Sequence, residues 1–448
     1  MYMKNNTLQK KQDSDRFIKS GSVCSFCLLA GLLSVQNGHA QFYNEGDVFV
    51  KKETVMSVYE DYKNDASGSF TNNGLVYIYK NWTNDGVVDF TAAEDGKTFF
   101  NGEQIQKIDG SAIANFQNII FDNLFDLTPF QLATSIAVNK NSDFHNGIID
   151  ADTYNGKMIF NENALHTNTS DVSFVDGKVQ KLGKGKFEFP VGDELHFRPS
   201  YNNADAEQGR PYTTQYFYKN SEGIHSNSNK VISHSIKEET IQVINNAEYW
   251  NVTNDDNGNE KIILSLSMDR STTPGNFFTV SDNKQIVIVR WDEISGKWVN
   301  EGGVVSDKPS EPDASAGAQY EQLVTARVRG YGIFTLAIAD KVNPDNNDEL
   351  IVYNGISPND DGKNDSFLIK GIAKYPDNEV EIYNRWGVKV YDAKGYNESD
   401  KMFRGYSDGR ATMNRGEKLP TGTYFYILKY NNGKKGIEKS GYLYISNQ

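Results

Sequence analysis

The chain has 448 residues, with 46 Lys+Arg against 59 Asp+Glu and a formal net charge of −13. Such an acidic balance excludes a broad footprint for nucleic acid or anionic lipid, whose phosphates need clustered Lys and Arg. With 25 Tyr, 25 Phe and 38 Gly, and no sustained 3.6-residue apolar period, the composition points to an all-β protein of several domains.

Residues 1–40 read as a secretory signal peptide. Lys4, Lys10, Lys11, Arg16 and Lys19 precede an apolar run from Val23 to Val35, and Gly38-His39-Ala40 fits a small-x-small cleavage site before Gln41. The run is too short to span a membrane, and no later stretch approaches that length, so the chain is read as not membrane-embedded. Cys24 and Cys27 both lie in this leader. A chain starting at Gln41 therefore has no cysteine and relies on burial and sheet pairing. Without the leader, 41 Lys+Arg face 57 Asp+Glu, a balance of −16.

The region 41–190 carries Asn-Gly and Asp-Gly turns followed by apolar strands. Phe70-Thr71-Asn72-Asn73-Gly74-Leu75-Val76-Tyr77 echoes Trp82-Thr83-Asn84-Asp85-Gly86-Val87-Val88-Asp89 twelve residues later. Asn and Gly tolerate the positive φ of tight turns, so repeating this unit builds either a β-solenoid or a hairpin meander. Phe116 to Leu124 reads as one rung of such a stack. A junction follows, with a Gly-Lys turn at Gly183 to Lys186, a short strand through Phe187-Glu188-Phe189, and Pro190 as its stop.

Residues 191–340 read as a central β-sandwich. Its strands include Lys261 to Met268, Gln285 to Trp291 and Tyr331 to Ile338, with a hairpin at Ser295-Gly296 that brings Trp291 and Trp298 to one sheet. Pro309 and Pro312 mark an exposed loop, and residues 341–349 lack an apolar anchor and read as a linker. Residues 350–448 form a last small β-domain. Val380, Ile382, Trp386, Val388 and Val390 share one parity around a turn at Asn384 to Gly387, and a second hairpin pairs Thr423–Tyr430 with Gly441–Ile445 across Asn431-Asn432-Gly433.

This last domain carries a connected set of motifs: Ile356-Ser357-Pro358-Asn359-Asp360-Asp361-Gly362-Lys363-Asn364-Asp365, Asn384-Arg385-Trp386-Gly387, and Leu419-Pro420-Thr421-Gly422-Thr423-Tyr424. Together they resemble the gliding-motility-associated C-terminal domain, the type B sorting signal of the type IX secretion system. Asp360 stands where that family commonly has Gly, and Phe403-Arg404-Gly405 where it tends to have Trp before Asp-Gly. Asp tolerates the left-handed region better than most residues, and Phe403 keeps an aromatic core residue. The resemblance implies a small Ig-like β-sandwich and export to the cell surface or extracellular space of a Bacteroidota-like bacterium. It also implies as partners the type IX secretion machinery and an outer-membrane protein of the PorP/SprF type.

Asn359, Asp361 and Asp365 around Gly362 have the alternating oxygens of a Ca²⁺ loop but lack its distal bidentate Glu. The alternatives are a Ca²⁺ site and a hydrogen-bonded Asx turn, and no other cofactor is expected. Signatures of catalysis are absent: no G-x-S-x-G, no H-E-x-x-H, no phosphate loop, and His145, His166, His196, His225 and His234 are scattered. The chain is read as a non-enzyme, an adhesin-like or structural passenger with a sorting domain. The alternative is a polysaccharide lyase or glycosidase acting through carboxylates, with Asp150, Asp152 and Lys157 as its candidates. For a polysaccharide or surface ligand, Trp82, Trp250, Trp291 and Trp298 present rings to stack on sugars, against a reading as core tryptophans. Arg385 and Trp386 are candidate contacts for the machinery. Tyr383, Tyr391, Tyr424 and Tyr426 are either a docking face or cross-strand pairs.

Overall fold

The computed structural model describes residues 41–183, 185–202, 211–255, 262–307, 320–341, 350–407, 416–431 and 436–447. The leader, the linker at 342–349, the loop prolines and the turn at Asn432-Gly433 lie outside the described residues. The described chain is all-β, with only two short 3-10 turns among its strands. None of its helices is long and apolar enough to cross a membrane.

Residues 41–193 wind as a parallel β-solenoid with three sides. Its first turn is β1 (Gln41–Asn44), β2 (Asp47–Val50) and β3 (Val55–Val58). Its second is β4 (Asp61–Asn64), β5 (Ser69–Asn72) and β6 (Leu75–Ile78), and its third β7 (Trp82–Asn84), β8 (Val87–Asp89) and β9 (Lys97–Phe100). Each strand pairs in parallel with its counterpart one turn on, so Phe42 sits over Tyr62, which sits over Trp82. Strands Ala114–Asp122 and Ser135–Asn146 run round a corner and join the second and third sides. The expected rung at Phe116 to Leu124 is thus most of a bent strand covering two sides of one turn.

Of the two readings left open by the sequence, the solenoid is the fold. The repeat is 20 residues over the first turns (Phe42, Tyr62, Trp82), and the twelve-residue echo relates two different corners. At the corner between first and second sides, Asn44, Asn64 and Asn84 form a ladder. Asn44 Nδ2 donates to Asn64 Oδ1 at 2.8 Å and Asn64 Nδ2 to Asn84 Oδ1 at 2.9 Å. Asn84 Oδ1 also accepts from the Gly86 amide at 3.3 Å, closing the turn. A Cβ on Gly86 would stand 2.2 Å from the Asp65 carbonyl, so the corner admits no side chain there. Inside, the rings of Tyr62 and Trp82 stack at 4.3 Å, and apolar residues fill the remaining volume.

The solenoid passes into a β-sandwich by continuing its second side. Strand Lys178–Lys181 pairs antiparallel with Tyr212–Phe217, which pairs with Tyr249–Asn254 and onward to Gly332–Asp340 and Lys284–Asp292. The facing sheet runs Phe187–Phe189, Ser200–Asn202, Ile263–Met268, Gln322–Arg327, Val304–Asp307. The two regions interleave around residue 190, because Phe187–Phe189 belongs to the sandwich while Val191–Asp193 still pairs with the solenoid strand Val175–Asp176. Arg198, fully buried, reaches Asp171 at 3.4 Å and Asp269 at 3.1 Å, tying the last solenoid turn to the sandwich.

The C-terminal domain holds a five-stranded sheet in the order Gly355–Ile356, Gly436–Ile445, Gly422–Asn431, Asn378–Tyr383, Lys389–Lys394, with a two-stranded ribbon (Ile351–Val352 and Ile369–Lys370) beside it. Its core includes Phe367, Ile369, Val380, Ile382, Val390, Leu428 and Leu443. A second apolar contact, Tyr383, Phe425 and Ile427 against Ile263 and Val304, seats its sheet on the sandwich.

Candidate functional site

The turn at 384–388 is built by one side chain. Asn384 Oδ1 accepts from the amides of Trp386 and Val388, each at 3.0 Å, and Gly387 takes a φ of 73°, which glycine adopts at no steric cost. The tip therefore presents Arg385 and Trp386. The guanidinium carbon of exposed Arg385 lies 4.3 Å from the Trp386 ring centroid, a cation–π pair. The Trp386 indole nitrogen is buried without a hydrogen-bond partner among the described residues.

The segment 419–424 is pinned against this tip. The Leu419 amide donates to the Gly405 carbonyl at 2.8 Å, Tyr424 Oη donates to the Pro420 carbonyl at 2.9 Å, and Asn447 Nδ2 holds the Leu419 carbonyl. Burial raises the Tyr424 hydroxyl to a pKa of about 12, against the lowering charge of Arg385, so it remains a donor at neutral pH. Asn384, Arg385, Trp386, Leu419, Pro420, Gly422, Thr423 and Tyr424 all line one cavity of about 760 Å³. Its far wall is the sandwich edge, with Val305, Ser306 and Asp307 of strand Val304–Asp307 and Gln322 of the neighbouring strand Gln322–Arg327. These four were not identifiable as site residues from the sequence, since nothing local shows that this sheet edge faces the C-terminal domain.

The wall is held in place by charge. Glu381 accepts from Lys429 at 2.9 Å and Lys389 at 3.1 Å within its own domain, and from Arg327 of the sandwich at 3.3 Å. Burial alone would raise this carboxyl, but Lys429 and Lys389 outweigh it and hold the pKa at about 2. Residues 350–445 match the model of the CHU_C type IX secretion signal domain. This segment is a type IX secretion signal domain. No curated protein and no solved structure matches the chain. The signal domain supports export by the type IX system, to the cell surface or the extracellular space.

The third motif of the secretion signal domain forms a separate loop. Asp365 accepts from the amides of Asn359 (3.2 Å), Asp360 (2.7 Å) and Gly362 (2.8 Å), while Asp361 accepts from Lys363 at 2.8 Å and from Asn359 Nδ2 at 3.1 Å. Asp360, Gly362 and Asn364 take positive φ values of 60°, 80° and 54°. These carboxylates are thus already engaged as hydrogen-bonded turn acceptors, and no group of three or more acidic or His/Cys side chains among the described residues is arranged to hold a metal. Pro358 packs on Gly405, where a Cβ would approach its ring to 2.8 Å, and Gly405 in turn anchors Leu419. The loop so braces the cavity without lining it.

Of the alternatives left open for the aromatic residues, the structure gives the buried ones. Trp82, Trp250, Trp291 and Trp298 are each no more than 1% exposed and serve as core, because strand alternation turned their rings inward. Tyr383, Tyr424 and Tyr426 are likewise buried, and Tyr391 is half-buried against Phe403. Together they form no exposed face, and of the four only Tyr424 reaches the cavity wall.

Acidic side chains do meet elsewhere, on the first side of the last solenoid turns. Asp150 and Asp176 are register partners, and Asp193 lies one residue beyond Gly192, the partner of Asp176. Burial, then the charges of Asp193, Asp150 and Asp152, push the Asp176 carboxyl up to about 8, so it stays protonated at neutral pH. Asp152 accepts from Gln215 at 2.6 Å, and Asp193 accepts from the Tyr218 amide at 2.9 Å. Lys157 lies on the second side, in strand Lys157–Phe160, away from this row. Asp176 and Asp193 were missed in the sequence because their meeting depends on the solenoid register.

Proposed function

We propose that this is a surface-displayed or released protein of a Bacteroidota-like bacterium, carrying an adhesin-like or structural passenger linked to gliding or adhesion. The secretion signal domain delivers it, and the cavity walled by Asn384 to Trp386 and Leu419 to Tyr424 is where the secretion machinery, including an outer-membrane protein of the PorP/SprF type, engages. The supporting observation is that two motifs distant in sequence converge on one cavity, with a guanidinium stacked on an indole at its lip. The passenger acts by presenting the extended sides of its solenoid to a polysaccharide or another surface. Retention of the chain from Gln41 on a panel of polysaccharides and host or abiotic surfaces tests this. Selective retention supports adhesion, and no retention anywhere refutes it.

A second reading rests on Asp176. A protonated carboxyl with other carboxyl groups beside it has the form of a general acid and its partner, as in enzymes acting on glycosidic bonds. Product release from an acidic polysaccharide, abolished by Asp176→Asn, would establish it. Inactivity across the panel would remove it.

A further inference from the structure

The first turn of the solenoid ends in open core. β1, β2 and β3 each have a strand partner on one side only among the described residues, namely β4, β5 and β6. An open row of N–H and C=O groups on an edge strand is a template for another strand. Here three such rows surround exposed apolar side chains. Phe42, whose ring stacks on Tyr62 below, is still 39% exposed, and beside the edge Phe49 and Val55, turned by strand parity to the outer face, are 56% and 63% exposed. Val48 and Met56, which point into the core beside Val50 and Val58, are only half-buried, and no described strand stands above them.

Charge says what fits there. The corner between β1 and β2 carries Glu45 and Asp47, a balance of −2, and the corner between β2 and β3 carries Lys51, Lys52 and Glu53, a balance of +1. Lys52 makes only a long, exposed contact of 3.5 Å to Glu94. A two-fold axis through the middle of β2 would lay that strand antiparallel on its own copy. Centred on Phe49, whose parity faces the open edge, it would pair Val48 with Val50 and Asp47 with Lys51 of the second copy, and would exchange β1 with β3. The same operation brings the Glu45–Asp47 corner of each copy over the Lys51–Lys52 corner of the other. The interface is isologous, so each acid–base contact occurs twice. Its centre is Val48 and Phe49, apolar on both faces.

We propose that two copies of this chain associate end to end through the first solenoid turn, β2 on β2, with the acidic and basic corners exchanged. The pairing completes three strand edges and covers the open core, and directs the two secretion signal domains away from the contact. The test uses the chain from Gln41, whose residues form one compact unit, in sedimentation equilibrium at low salt. The expected result is a concentration-dependent dimer. Lys51→Glu with Lys52→Glu makes both corners acidic, and Glu45→Lys with Asp47→Lys makes both basic. Each pair of changes should weaken self-association by at least about tenfold. Mixing the two variants should restore a dimer, now of one copy of each. All changes are at exposed corner positions, and circular dichroism confirms that each variant is folded. Phe49→Pro, which removes an edge donor, should also give a monomer. A wild-type chain that stays monomeric, or a dimer that both charge variants leave intact, overturns the proposal.

Discussion

Asn64 is the middle of the asparagine ladder and the position where the solenoid should be most sensitive to a small change. Its side chain is fully buried. It accepts from Asn44 at 2.8 Å and donates to Asn84 at 2.9 Å and to the Val87 carbonyl at 3.0 Å. Asn64→Ala removes these three bonds and a fourth, longer one to the Gly68 carbonyl at 3.3 Å, and opens space beside Gly68, whose Cβ position lies 2.3 Å from Asn64 Oδ1. Asn44 keeps a bond to the Ser69 carbonyl and Asn84 Oδ1 keeps the Gly86 amide, so the orphaning is partial. At roughly 1 kcal/mol net per bond, with a further penalty for groups left unsatisfied, the loss should be about 2–4 kcal/mol. Asn44→Ala, at the open end where water reaches the vacated site, should cost about 1 kcal/mol. Urea unfolding followed by far-UV circular dichroism measures both. Because stability in a solenoid is a sum of neighbouring turns, the early part of the transition should move most. An Asn64→Ala loss no larger than that of Asn44→Ala would refute the view that the ladder holds the corners.

Three further outcomes are expected. Glu381 has a folded pKa of about 2 against an unfolded value of 4.5, so its stabilisation is complete above pH 4.5 and is lost as pH falls toward 2. Thermal melts across that window should show Glu381→Gln less acid-sensitive than wild type by roughly 2–3 kcal/mol, and parallel curves would contradict the assignment. Asp365→Ala frees three backbone amides of the Pro358 loop and should lower C-terminal domain stability by about 1–3 kcal/mol, read in denaturant. In the same experiment, millimolar Ca²⁺ should leave the wild-type midpoint unmoved if the loop is a self-satisfied turn, and raise it if the oxygens take the ion. Arg385→Ala with Trp386→Ala should reduce surface delivery severalfold while the purified chain keeps its melting temperature within a few degrees. A proportional loss of both would mean that the tip is merely structural.

The C-terminal domain was legible because its motifs resemble those of a known family, and because they are turns whose chemistry is local: Asn384 and Gly387, or Pro358 to Asp365, build their bends from their own side chains. Its wall against the sandwich was not, since Glu381 meeting Arg327 joins residues far apart in the chain. The solenoid was half legible. Its true period of 20 stands in the sequence at Asn44, Asn64 and Asn84 and at Tyr59 and Tyr79, whose rings stack at 4.6 Å. Beyond Trp82 the step lengthens to 26 residues at Ile108, and the repeat dissolves into corners of unequal length. The tryptophans stayed open between core and sugar-stacking for a related reason. Alternation says that a ring faces one side of a strand, but only the winding of the sheet says which side is inside.

The central claim is that residues 350–445 are an address read at the outer membrane. Deleting Leu350–Gln448 from the full chain and fractionating the producing cells tests it most directly. The account predicts that the truncated protein accumulates in the periplasm, protected from externally added protease until the outer membrane is opened. Continued display on the surface, or release to the medium at the wild-type level, would contradict it.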